Sequence, residues 1–85
     1  MEYYVYILKS DLNGSYYIGS TQDIEKRLDL HRNGMVTSTK RYLPWRLVYK
    51  AEYPNLSDAR KRELQIKSWK KREAIENLIN NAAMV

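Results

Sequence analysis

Two short aromatic stretches, Val5-Tyr6-Ile7 and Tyr17-Ile18-Gly19, separated by a polar turn, constrain this chain more than any other part of it. From Tyr3 to Lys9 the residues are strong β-formers, with Val5 and Ile7 on one face and Tyr4, Tyr6 and Leu8 on the other. Both faces are apolar or aromatic, so this strand is expected to be covered on both sides. Ser10-Asp11-Leu12-Asn13-Gly14 supplies turn residues, and Asn13-Gly14 suits positive φ. Ser15 to Ser20 then returns as a second strand. Gly19, near its end, lets another group approach the backbone closely.

The segments that follow are read as partners for this hairpin. A helix is expected from about Gln22 to Arg32, with Ser20 and Asp23 in a capping-box pattern and Asn33-Gly34 as the stop. Ile24 and Leu28 are one turn apart and face the sheet. Arg27 and His31 are also one turn apart on an adjoining stripe, so their heads can serve one site. Met35 to Pro44 reads as a loop in which the hydroxyls and cations of Thr37-Ser38-Thr39-Lys40-Arg41 would suit a phosphate backbone, although such loops are more often merely exposed. Trp45 to Tyr53 reads as a third strand, whose sense of pairing the pattern leaves open. Ser57 is the expected N-cap of a second helix, with Leu56 before it as a staple residue. On that helix Ala59, Glu63 and Ile66 fall at i, i+4 and i+7, which turns the Glu63 carboxylate inward. An inward carboxylate costs free energy unless it is paired, protonated or bound to a cation, and a salt bridge to a nearby Lys or Arg is the commonest explanation. Ser68-Trp69 bends or restarts the helix. Ile75, Leu78 and Ile79 mark a last amphipathic helix ending near Asn80, with residues 81–85 expected to fray.

A chain of 85 residues is expected to form one domain, here residues 1–80, with a single modest core. Cysteine is absent, which excludes a disulfide framework, a thiol nucleophile and a Cys-based zinc site. No apolar run approaches the roughly 18 residues of a membrane span, and Met1-Glu2-Tyr3-Tyr4 begins a strand at once, so a soluble, unexported, cytoplasmic protein without membrane partners is expected. Fifteen Lys plus Arg against ten Asp plus Glu give a net charge of +5 and favour polyanionic partners through salt-dependent phosphate contacts. Lys40, Arg41 and Arg46 sit in and after the central loop; Arg60, Lys61, Arg62, Lys67, Lys70, Lys71 and Arg72 crowd the last third.

Tyr6, Tyr17, Arg27, His31 and Glu63 are the candidates for chemistry. Each has a plainer role available: rim hydroxyls on core tyrosines, a solvated arginine, a histidine whose charged form is favoured near a helix C-terminus. Together they match the needs of a phosphodiester hydrolase. One carboxylate can hold a divalent cation, an arginine can grip the phosphate in bidentate fashion, and a tyrosine or histidine can deprotonate water.

In this order the set resembles the GIY-YIG nuclease superfamily, from Tyr3 to about Ile79, and in particular its small single-domain bacterial members. Val5-Tyr6-Ile7 and Tyr17-Ile18-Gly19 look like the two naming motifs, with Val5 in place of glycine. Arg27 falls at the family's catalytic arginine, His31 at a position held by His or Tyr, and Glu63 at the single metal-binding glutamate. Some members carry Lys where Ser20 stands, and an Asn near the end of the domain, where Asn77 and Asn80 lie. The resemblance implies an α+β fold, β-β-α-β-α-α, with a three-stranded, mainly antiparallel sheet flanked by helices. It also implies a one-metal endonuclease, using Mg²⁺ or Mn²⁺, that cleaves DNA with a tyrosine-activated water, on branched, damaged or single-stranded substrates as in repair. Lys40, Arg41, Arg46 and Trp45 are the expected nucleic-acid contacts. A homodimer or protein partner would supply affinity that so small a module lacks. The rival readings are a non-catalytic nucleic-acid-binding module using the basic loop, the Trp45 ring and the C-terminal helices, and an adaptor docking on an acidic protein.

Overall fold

Of the two aromatic stretches, the first becomes the middle strand of a sheet. The computed structural model describes residues 2–83. In chain order it contains β1 (Tyr3–Ser10), β2 (Tyr16–Thr21), α1 (Ile24–Arg32), a 3-10 turn (Lys40–Tyr42), β3 (Trp45–Tyr53), α2 (Leu56–Lys67) and α3 (Arg72–Ala83). The sheet order is β2-β1-β3 with both pairings antiparallel, which gives the α+β architecture expected and resolves the sense of β3.

The hairpin turn works through Ser10. Its hydroxyl accepts from Leu12 N (3.1 Å) and Asn13 N (3.2 Å) and donates to Tyr42 O (2.7 Å), tying the turn to the central loop. Gly14 closes the turn at φ 75°, and its N–H reaches Ser10 O at 2.9 Å.

As its two-sided apolar pattern requires, β1 is covered on both faces. Val5 and Ile7 join Ile18 of β2 and the fully buried Ala59 and Ile66 of α2, with α3 adding Ile75, Leu78 and Ile79. Burying a side chain the size of Ile66 stabilises the fold by about 1.5–3 kcal/mol relative to leaving it exposed. Val5, where the first family motif names glycine, is spent on this core. On the other face Tyr6 and Leu8 pack with Ile24 and Leu28 of α1. A bulge lets β3 serve both layers: Ile7 pairs with Tyr49 and Leu8 with Leu47, so Val48 is the extra residue and packs beside Tyr49 on the α2–α3 side.

Both expected helix starts move. The α1 N-cap is Asp23, whose carboxylate accepts from Lys26 N at 3.1 Å, and the α2 N-cap is Asn55, whose side chain accepts from Asp58 N at 2.8 Å. Ser20 is still in β2, paired with Val5, and Ser57 and Leu56 are already inside the helix. The stop of α1 is as read: Gly34 takes φ 71°, with Met35 N–H bonded to Leu30 O and Gly34 N–H to His31 O, a Schellman closure. α3 runs to Ala83, three residues past the expected Asn80; residues 84 and 85, the end of the expected frayed tail, lie outside the described residues.

Candidate active site at the sheet edge

Tyr6 points from the middle strand toward α1, and the backbone of its neighbour on β2 is Gly19, its register partner. The phenol lies against that glycine so closely that a Cβ there would sit 2.6 Å from the Tyr6 hydroxyl and 2.8 Å from its Cζ. Gly19 therefore provides the close approach that the sequence suggested. Tyr17, two residues earlier on the same face of β2, sets its ring 6.2 Å from that of Tyr6 and edge-on to His31 at 5.0 Å.

α1 brings Arg27 and His31 to the same hydroxyl. Arg27 Nε donates to Tyr6 Oη at 3.3 Å, and His31 Nε2 lies 3.0 Å from it. Tyr6 and His31 are each only 1% exposed. Burial raises the Tyr6 phenol above its ordinary pKa, and the Arg27 hydrogen bond works against that rise. Burial, and then the Arg27 charge, lower His31 from 6.5 to about 4, so the imidazole is neutral at pH 7. Nearness to a helix C-terminus, which favours charged histidine, is outweighed here by desolvation.

Glu63 approaches from the other side of the sheet. Its side chain is 17% exposed; Oε1 accepts from the Ser20 hydroxyl at 2.6 Å and Oε2 from Lys67 Nζ at 2.5 Å. Burial pushes this carboxyl up, but the Lys67 and Ser20 hydrogen bonds outweigh burial and hold it below the usual value, so it is ionised. The ion pair expected of an inward carboxylate is thus present. A cleft of about 440 Å³ at the β2 edge is lined by Tyr6, Tyr17, Gly19, Arg27 and Glu63, together with Ser20, Arg60 and Leu64. Four of the five candidate residues line it, and His31 stands directly behind Tyr6.

The four expected nucleic-acid contacts do not gather there. Lys40 and Arg41 are exposed on the 3-10 turn and border a separate pocket with Thr37, Ser38 and Tyr42. Trp45 and Arg46 are adjacent on β3 and so point to opposite faces. The Trp45 indole N–H donates inward to Thr39 O at 2.7 Å, with its ring 6.5 Å from Tyr17. Arg46 pairs with Asp11 at 2.9 Å and lines a groove on the α3 side with Lys9, Asn77 and Asn80. Neither Asn77 nor Asn80 lines the tyrosine cleft.

Two residues of the site were not singled out for it in the sequence. Arg60 lines the cleft and helps hold the Glu63 carboxyl low; its place three residues before Glu63 on one helix was a usable signal. Thr39, read as part of an exposed loop, is completely buried with its Oγ1 2.8 Å from His31 Nδ1, and nothing in the pattern of that loop announces it.

Fold and cleft together define a small α+β domain with a cleft at its sheet edge lined by two tyrosines, two arginines and a carboxylate. The chain belongs to the GIY-YIG family: the GIY-YIG catalytic domain profile matches residues 2–79. It is similar to the UPF0213 proteins of Staphylococcus saprophyticus, 38% identical over 88% of this chain and 92% of the relative, and of Staphylococcus epidermidis, 36% identical over the same shares. Its structure is similar to the solution NMR structure of the UPF0213 protein BH0048 from Bacillus halodurans, with a TM-score of 0.61 at 33% identity, covering 94% of this chain and 84% of that one. A GIY-YIG domain implies nuclease-type activity and nucleic-acid binding, and nucleases of the family typically use divalent metals. Among the described residues no helix is long and apolar enough to cross a membrane.

Proposed function

We propose that this protein is a metal-dependent endonuclease that hydrolyses phosphodiester bonds of DNA at the β2 edge cleft. The observation that supports this best is the convergence of the Tyr6 phenol, the Arg27 guanidinium and the Glu63 carboxylate on one cleft floored by Gly19. Arg27 offers a permanent charge to the phosphate that approaches the tyrosines, and Arg60 adds a second at the rim. Tyr6 and Tyr17 both line the cleft, and a tyrosine there accepts a proton from the attacking water.

Among the described residues no three His, Cys, Asp or Glu side chains come together as a metal cluster, so Glu63 is the single protein ligand in this reading. That suits Mg²⁺ or Mn²⁺, which keep several waters and complete their shell with substrate phosphate oxygens. Glu63 would hold the ion, and Ser20 orients the carboxylate while the Lys67 ammonium must yield its oxygen. Bound there, a divalent cation would stabilise negative charge on the leaving 3′ oxygen.

The test is cleavage of labelled duplex, single-stranded and branched DNA and RNA with Mg²⁺, Mn²⁺ or chelator, comparing wild type with Glu63→Ala. Metal-dependent products are expected from wild type, with a loss of at least ~10²-fold in the variant. If neither protein cuts but both bind with a steep salt slope, the cleft binds without catalysis and the binding-module reading replaces this one. The inward use of the Trp45 N–H speaks against a module that stacks bases on that ring.

A further inference from the structure

Behind the cleft, Tyr6, His31 and Thr39 form a buried row in which every proton needs an acceptor. Tyr6 Oη lies 3.0 Å from His31 Nε2; His31 Nδ1 lies 2.8 Å from Thr39 Oγ1; Thr39 Oγ1 donates to Val36 O at 3.4 Å. Arg27 Nε can only donate, so Tyr6 Oη accepts from it. If His31 carried its proton on Nε2, Tyr6 Oη would receive two donors and its own proton would have no partner in this row. With the proton on Nδ1, the row closes: Tyr6 O–H donates to Nε2, Nδ1–H donates to Thr39, and Thr39 donates to Val36 O. The Thr39 backbone is itself fixed, its carbonyl held by the Trp45 indole at 2.7 Å and its N–H by Val36 O at 3.1 Å.

We propose that Thr39 is a positioning residue that holds His31 as the Nδ1–H tautomer, so that Nε2 takes the Tyr6 proton as Tyr6 accepts one from the attacking water. This rests on the nuclease reading above. Water loses a proton to Tyr6 Oη, and its oxygen bonds to phosphorus. Tyr6 passes its own proton to His31 Nε2, the P–O3′ bond breaks, and the leaving oxygen takes a proton from solvent. The neutral state of His31 supplies the lone pair this needs. A phosphodiester anion against Arg27 offsets one of the two influences that oppose imidazolium, which ties proton uptake to an occupied cleft.

His31 is the only histidine in the chain, so its ring nitrogens can be read directly in a long-range ¹H–¹⁵N correlation spectrum at pH 7. The wild type is expected to show a protonated Nδ1 and a bare Nε2; Thr39→Val should lose that pattern and Thr39→Ser should keep it. A protonated Nε2 in the wild type, or an unchanged tautomer in Thr39→Val, would overturn the assignment. In cleavage, Thr39→Ser should retain the rate that Thr39→Val loses. Because the spectrum needs no substrate, a protein that shows the tautomer pattern yet cuts nothing would sink the nuclease reading and leave the positioning of His31 standing.

Discussion

At Gly19 one missing methyl group decides whether the cleft exists. The position of a Cβ there, 2.6 Å from a phenol that is itself buried, leaves no room for a rotamer change of Tyr6 that keeps its contacts with Arg27 and His31. Gly19→Ala is expected to destabilise the protein by about 1–3 kcal/mol, as overpacking does, and to abolish cleavage. Since the nearest atom is the hydroxyl, adding Tyr6→Phe should restore part of the lost stability while leaving activity absent. Urea denaturation of the two single variants and the double variant measures this coupling, and strictly additive losses would mean the backbone yields instead of the ring. Gly19 was legible because glycine in a strand asks for a reason, and the tyrosines because the two motifs carry them on neighbouring strands of one hairpin, where Tyr17 falls diagonal to Tyr6. Thr39 was not legible: a threonine in an aperiodic loop beside Lys40 and Arg41 reads as exposed, and only the Schellman closure after His31 and the turn at Val36 bring it under the imidazole.

The elements themselves were readable where burial sets a period and misplaced where a single hydrogen bond sets a boundary. β1 shows two apolar faces in its sequence and has two packed layers in the structure; β3 gives its extent but not its partner, because antiparallel and parallel neighbours ask for the same residues. The helix starts failed for a local reason. Ser20 and Ser57 are good cap residues by type, but Ser20 is held in β2 and turned to Glu63, and Asn55 reaches the free N–H of Asp58 before Ser57 can act. Asn55→Ala is therefore expected to cost about 1 kcal/mol of stability, and Ser57→Ala only a few tenths. Thermal or urea unfolding distinguishes the two, and equal losses would return the cap to Ser57. The site does not depend on those caps, since Glu63 sits two turns into α2, on a stripe fixed by the buried Ala59 and Ile66.

Across the whole molecule the excess positive charge is divided among separate surfaces of the fold. Arg27 and Arg60 face the tyrosine cleft, Lys40 and Arg41 stand on the 3-10 turn, and Lys9 and Arg46 face the groove beside α3, where Glu73, Glu76 and Asp11 oppose them. Composition revealed the sum and not this division, because side chains adjacent on a strand go to opposite faces and Arg60 reaches the cleft only through the packing of α2 on β1 and β2. The division makes a prediction about which cations nucleic acid uses. A phosphate contact adds about 0.7–0.9 to the slope of log affinity against log salt, whereas a cation on the far face contributes only a weak, long-range term. Arg60→Gln should weaken binding of a labelled DNA and flatten that slope by about 1. Arg46→Gln, already neutralised locally by Asp11, should leave the slope close to wild type despite removing the same formal charge. Fluorescence anisotropy over a range of salt concentrations reads both. A slope that falls as far in Arg46→Gln as in Arg60→Gln would carry the strand around the β3 edge onto the α3 face, and the path of the nucleic acid would have to be redrawn from there.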